Sequence, residues 1–289
     1  MWLLFACASA LFAGLTAVLA KQGVRTTDST LATALRTPVV LAGAWGMTLL
    51  SGSIRAIGQV DARSLVYLVL SGLATGASWL CYFKALQLGD VSRVAPVDKM
   101  STVLTIVMAA LLLGEDLGAL GALGLVLVTV GTLLMLRAED LRALPRALAG
   151  GGGWLLYALG AALFAALTAI LGKIGIAAVP SDLGTAIRTG VVLVMAWVMV
   201  GVAGRLRGAA HVPRGEMTWI LLSGVATCAS WLCYFRALQD GPASVVVPID
   251  KLGVLVSVAF SVLVLHEHVG VRALLGLAVL VVGTIALAL

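Results

Sequence analysis

ASWLCYFKALQLGDVSRVAPVDK, residues 77–99, returns at residues 229–251 as ASWLCYFRALQDGPASVVVPIDK, and most of the aligned positions are identical. Each copy carries charge, Lys84, Asp98 and Lys99 in the first and Arg236, Asp250 and Lys251 in the second. The surrounding chain of 289 residues is 61% hydrophobic and only 11% charged, with a mean hydropathy of +1.11. A soluble domain has about 25% charged residues. Working outward from the repeated stretch, the same offset of 152 aligns the whole chain without a gap. LFAGLTAVLAK at 11–21 meets LFAALTAILGK at 163–173, and LATALRT at 31–37 meets LGTAIRT at 183–189. The chain is a tandem duplication, with halves at 1–137 and 153–289 and a linker at 138–152.

The apolar runs are about as long as a helix needs to cross a hydrocarbon core of about 30 Å. They lack the period-2 alternation of barrel strands. They fall at 2–20, 31–50, 65–86, 91–113, 117–136, 154–172, 183–202, 217–238, 243–265 and 269–289. The expectation is an all-α integral membrane protein with ten transmembrane helices. The first run lacks a cationic flank and is repeated in mid-chain, so it reads as a retained span, not a leader. Five spans per half is an odd number, so the second half enters the membrane from the opposite side, and the two five-helix repeats are inverted. Secondary transporters use this plan, with a site near the midplane and access alternating between sides. Most loop cations, Lys21, Arg25, Arg142 and Arg205 among them, lie on the side reached after an odd number of spans. By the positive-inside rule that side is cytoplasmic and both termini are outside. The net charge of +6 is accounted for by these short loops, so it gives no reason to expect nucleic acid.

The pattern ALQLGDVSRVAPVDK … LLLGE in the first half and ALQDGPASVVVPIDK … LVLHE in the second resembles the EamA family of the drug/metabolite transporter superfamily. The resemblance extends over essentially the whole chain and rests on Ala85, Leu86, Pro96, Glu115, Ala237, Leu238, Pro248 and Glu267. It implies transport of small organic solutes, amino-acid-like or amphipathic, across a cell (inner) membrane. The cavity would be lined by the first four helices of each half, with the fifth and tenth peripheral and available to a homodimer. It also implies cytoplasmic termini, opposite to the loop count. His266 stands where copy one has Gly114, a departure from the pattern.

Candidate cavity residues come from polar and aromatic positions inside the runs. Asp98, Thr102 and Thr105 share one helical face, matched by Asp250, Ser257 and Ser261. Two readings stand for the aspartates: a first-turn carboxylate complementing the helix dipole, with Lys99 and Lys251 snorkelling, or a polar stripe lining a cavity. A charge at the centre of a membrane helix costs at least about 2.5 kcal/mol, so placement decides between them. Trp79, Tyr82 and Phe83 fall on one face, as do Trp231, Tyr234 and Phe235, either as an interfacial belt or as walls for an aromatic solute. Lys84 and Arg236 read as anchors or as attractors of an anionic group. Arg36 and Arg188, inside the second and seventh spans, must snorkel, pair or face water, and pairing with Asp98 or Asp250 is one solution. Glu115 and Glu267 read as loop carboxylates at the next helix N-terminus, or as coupling groups. Gly118, Gly121 and Gly124 permit close helix approach within the subunit or across a dimer. The four cysteines read as small apolar side chains. His266, Glu267 and His268 have no counterpart cluster, so no metal site is assigned. No phosphate loop, dinucleotide fingerprint or catalytic set appears, and no cofactor is implied. The transporter reading competes with a membrane receptor or accessory subunit that has a degenerate site.

Overall fold

A computed structural model describes residues 1–88, 94, 97–135, 153–263 and 270–289. Among them every regular element is helical. The α-helices are α1 Trp2–Gly23, α2 Ser29–Ser51, α3 Ala62–Leu88, α4 Ser101–Leu113, α5 Gly118–Leu134, α6 Gly153–Gly175, α7 Ser181–Val202, α8 Arg214–Asp240, α9 Ala243–Lys251, α10 Gly253–Leu263 and α11 Val271–Ala288. Short 3₁₀ helices follow α2 (Ser53–Gln59) and α7 (Leu206–His211).

Local chemistry sets the helix ends. Asp28 caps α2, its carboxylate accepting from the Thr30 and Leu31 N–H groups at 3.0 and 3.2 Å. The helix stops at Gly52, whose φ of +78° is open to glycine, and the following 3₁₀ turn leaves at 96° to it. Among the described residues, seven helical segments are long and apolar enough to cross a membrane: α1, α3, α6, α7, α8, α11 and the α9–α10 segment Ala243–Phe260. Taken with its bent 3₁₀ extension, α2 is an eighth candidate, while α5 is apolar but shorter, at 17 residues. The chain is thus a multi-pass helical membrane protein.

The ninth run was expected as one continuous helix and is broken at Leu252. Pro248 lies inside α9, where its missing N–H weakens the helical ladder. Gly253 then brings the chain so near α1 that a Cβ built there would lie 2.6 Å from the Ala10 carbonyl. Asp250 is consequently in the last turn of α9, about midway along Ala243–Phe260, and the first-turn reading fails for this copy. Pro96 lies outside the described residues.

The helices gather into two compact units. The first comprises Met1–Gly76, Leu171–Gly241 and Asp250–Phe260; the second comprises Ala77–Ile170, Pro242–Ile249 and Ser261–Leu289. Within the first, α1 packs along α8 and α2 along α7. Within the second, α5 packs along α11, and a small core forms from Ala85, Val94, Val97, Trp154 and Ala158 with Tyr82 against it.

The contacts inside each unit come in exchanged pairs. A Cβ on Gly72 would strike Val191 and the Arg188 carbonyl, and one on Gly224 would strike Val39 and the Arg36 carbonyl. A Cβ on Gly131 would lie 2.8 Å from the Gly276 carbonyl oxygen, and one on Gly124 would lie 2.8 Å from that of Gly283. In every case the 152-residue counterparts trade places. Helices in lipid gain little from the hydrophobic effect and associate through such close backbone approach. Gly118 and Gly121 take no part in the crossing: a Cβ on Gly118 would meet nothing, and one on Gly121 would meet only Leu117 of its own helix end. The spacing that matters in α5 is therefore Gly124 to Gly131.

Candidate functional site

Arg188 projects from α7 into the first unit and is almost fully buried, at 3% exposure. Two hydroxyls of α3 receive it: Nε donates to Ser71 Oγ at 3.1 Å and Nη2 to Thr75 Oγ1 at 2.8 Å. Two rings of α8 cover its face, with the guanidinium carbon 4.9 Å from the Trp231 centroid and 4.7 Å from that of Phe235. Its remaining nitrogen, Nη1, is buried without a hydrogen-bond partner. A buried ion loses several kcal/mol of hydration. Charge-assisted hydrogen bonds and desolvated ring contacts offset much of this, and the orphan nitrogen offsets none.

The second pole is Asp250 in α9. Ser9 of α1 donates to its carboxylate at 2.5 Å, while the Ser230 hydroxyl of α8 donates to the Ser9 carbonyl at 3.2 Å. Tyr234 lies within electrostatic range of both Asp250 and Arg188. It meets Phe235 edge to face at 5.2 Å. Trp231, Tyr234 and Asp250 are half-buried. A guanidinium of α7, a phenol and two ring faces of α8 and a carboxylate of α9, held by hydroxyls of α1 and α3, thus all belong to the first unit. Of the solutions open to Arg188, the pairing with Asp250 is not the one adopted: hydroxyls and rings hold the guanidinium.

The counterpart set is assembled differently. Ser78 donates to the Ala161 carbonyl at 2.9 Å, as Ser230 does to that of Ser9, but Ala161 has no hydroxyl to offer Asp98. Asp98 is half-buried, within range of Tyr82. Arg36 is half-buried and reaches Thr33 Oγ1 only at 3.5 Å. Ser223 and Thr227, which correspond to Ser71 and Thr75, turn their hydroxyls to the Ile220 and Ser223 carbonyls at 2.6 and 2.7 Å.

Other candidates fall elsewhere. Lys84 is exposed and donates to Gln87 at 3.4 Å; Arg236 is exposed and pairs with Asp240 at 3.1 Å. Lys99 and Lys251 are exposed, and Trp79 is half-buried. Thr102 and Thr105 are buried, with the Thr105 hydroxyl donating to the Ser101 carbonyl at 2.8 Å. Ser257 sits at the α1–α10 crossing, 3.4 Å from the Gly14 carbonyl. Glu115 reaches a helix far along the chain. Its two carboxylate oxygens accept from the Ala243 and Ser244 N–H groups at 2.7 and 2.8 Å, capping α9. Glu267, His266 and His268 lie outside the described residues. Ser9, Ser71, Thr75 and Ser230 were missed as candidates, although Ser71, Thr75 and Ser78 recur as Ser223, Thr227 and Ser230, a matched hydroxyl stripe in otherwise apolar spans.

These features define a multi-pass helical membrane protein with a polar site inside one packed unit. The sequence profile of the EamA-like transporter family matches residues 1–137 and again 152–289. An uncharacterized transporter from the cobO 3′ region of Sinorhizobium sp. is 45% identical over 134 residues, 46% of this chain and 95% of that protein. An uncharacterized protein of Methanocaldococcus jannaschii, MJ1333.1, is 32% identical over 73 residues, 25% of this chain and 53% of its own. A crystal structure of a protein sharing 18% identity superposes with a TM-score of 0.76 over 100% of this chain and 98% of that one, a likeness of fold. The chain belongs to the EamA-like transporter family. It is a membrane transporter, and its family is not one of enzymes.

Proposed function

We propose that the protein is a secondary-active transporter of small organic metabolites, amino-acid-like or amphipathic, in the cell (inner) membrane. It works by alternating access between two inverted repeats of five spans each, ten in all. The observation that carries this reading is the Arg188–Tyr234–Asp250 constellation. A buried guanidinium with one nitrogen unpartnered, in the same unit as a half-buried carboxylate, suits a solute bearing an anionic group at one end and a cationic or hydroxyl group at the other. Trp231 and Tyr234 would contact its apolar part.

The exchanged glycine contacts support a twofold relation between the halves. Alternating access also accounts for one motif in two bonding conditions. Arg188 donates across to Ser71 and Thr75 of another helix, whereas Arg36 donates to Thr33 of its own. A protein at one end of its cycle has one half engaged and the other relaxed. A homodimer would use the outward apolar faces of α5 and α11, where Leu123, Val126, Leu275 and Val282 are exposed, because their glycine faces meet each other.

The test is a thermal-unfolding screen of the purified protein against metabolites, followed by uptake of each stabilising compound into proteoliposomes. Binding to the folded state raises the melting midpoint. Stabilisation by zwitterionic or amphipathic solutes together with uptake is the expected result. Tight binding with no movement of any binder would favour a receptor and overturn the transport reading.

A further inference from the structure

Away from this constellation, the first unit holds a cleft of about 350 Å³ between the α1–α2 connection and the α7–α8 connection. Its walls include Thr27, Asp28, Leu31, Arg205, Gly208 and His211. Two glycines shape it. Gly204 turns the chain with φ +68°, and a Cβ on Gly208 would come within 3.3 Å of Leu31 across the floor. The space is that of a small-ligand pocket, and it opens where four membrane helices end.

Its lining carries one carboxylate, Asp28, and one guanidinium, Arg205, and they differ in how far they are already engaged. Asp28 already uses Oδ1 to cap α2, and Glu216 beside the cleft accepts from the Thr26 N–H and hydroxyl and from the Thr27 N–H. Arg205 is 60% exposed at its side chain and holds Asp28 only through Nε, at 3.6 Å, which leaves both terminal nitrogens of its fork for another acceptor. Arg25 and Arg214 are exposed nearby in sequence, and His211 lies on the wall. An exposed cationic fork, a small cavity and a hydroxyl-bearing loop suit a phosphate group. The rim supplies a further cue: Val202 is 75% exposed and Leu206 is 56% exposed on either side of Arg205. Such side chains at a helix end rest against acyl chains.

We propose that this cleft binds the phosphate-bearing headgroup of an anionic phospholipid, with Arg205 as its principal ligand and the acyl chains laid over Val202 and Leu206. Asp28 is the internal competitor for Arg205. The site is independent of the solute constellation and of whichever solute is transported.

The test uses the full chain in a neutral detergent, with the melting midpoint titrated against dioctanoyl phosphatidylglycerol, dioctanoyl phosphatidylcholine and inorganic phosphate. Wild type is expected to be stabilised saturably by phosphatidylglycerol, and at least tenfold more weakly by the other two. Arg205→Gln removes the fork, and Gly208→Val fills the floor while keeping every charge; each is expected to weaken phosphatidylglycerol binding at least tenfold. Asp28→Asn retains a capping oxygen for α2 and releases Arg205, so it is expected to tighten binding severalfold. Unchanged affinity in both Arg205→Gln and Gly208→Val overturns the proposal, as does full reproduction of the effect by inorganic phosphate. If Arg205→Gln does not fold, Gly208→Val and Asp28→Asn decide the matter by their opposite signs.

Discussion

Replacing Arg188 by leucine is expected to leave the fold intact and stop transport, because the residue is kept at a cost in stability. The guanidinium makes two charge-assisted hydrogen bonds, to Ser71 and Thr75, at about 1.5–3 kcal/mol each. It also touches two rings, at about 2 kcal/mol each when desolvated. Leucine forfeits all of this. Against it stand the several kcal/mol of ion desolvation, about 1–3 kcal/mol for the buried, unpartnered Nη1, and the roughly 1.5–3 kcal/mol gained by burying a leucine side chain. The hydroxyl of Thr75 is not stranded, since it already donates to the Ser71 carbonyl at 3.0 Å. The two sides are of similar size, so Arg188→Leu should melt within about 2 kcal/mol of wild type or above it. Arg188→Lys keeps the charge, loses the fork and the flat ring contact, and should be less stable by about 3 kcal/mol. Unfolding in detergent, followed through the seven native tryptophans, gives the order directly. Leucine at or above wild type and lysine below, with solute-induced stabilisation lost in both, is the expected pattern. A leucine variant that melts below the lysine variant would make Arg188 a structural pin and remove the chief support for the solute site.

Asp98→Asn and Asp250→Asn should both reduce uptake with expression intact, the second more severely, and normal uptake in both would return the aspartates to a structural role. Ser9→Ala should weaken solute binding about fivefold through loss of one hydrogen bond worth about 1 kcal/mol, whereas Ala161→Ser should leave binding within twofold of wild type; equal effects would refute the inequality of the halves. Gly131→Val, whose Cβ would meet Leu280 N at 2.5 Å, should destabilise by at least about 2 kcal/mol, while Gly46→Ala in open space should be neutral or stabilising by up to about 1 kcal/mol; melting midpoints check both. Glu115→Ala should cost about 1–2 kcal/mol and raise amide exchange at Ala243 and Ser244, the two groups it caps. A cysteine placed beside Arg142 should be protected from impermeant reagents in intact cells if the loop cations set the orientation.

The class of this protein was legible residue by residue. Hydropathy names the spans because a backbone crossing lipid must satisfy its own hydrogen bonds, and the 152-residue offset names the repeat because duplication leaves its mark in sequence. The expense of polar side chains in apolar runs singled out Trp231, Tyr234, Asp250 and Arg188, but it left an interfacial and an interior reading open for them. Their partners were not legible. Ser9 and Asp250 are 241 positions apart, and Arg188 and Ser71 are 117 apart; no local period connects such residues. Glu115 looked like a local cap and serves α9, 128 positions away, since a carboxylate satisfies whichever free N–H groups packing brings to it.

By itself the sequence determined that the chain lies in a membrane, that it is built of two matched halves, and that each half carries an arginine, an aspartate and an aromatic face. The tertiary structure alone decided that these matched sets are unequal. One hydroxyl, present at Ser9 and absent at Ala161, holds Asp250, and Asp98 has no equivalent donor among the described residues. A difference of one oxygen atom is invisible to hydropathy and barely registers in an alignment, yet inside a low-dielectric helix bundle a single hydrogen-bond donor decides how a carboxylate is held.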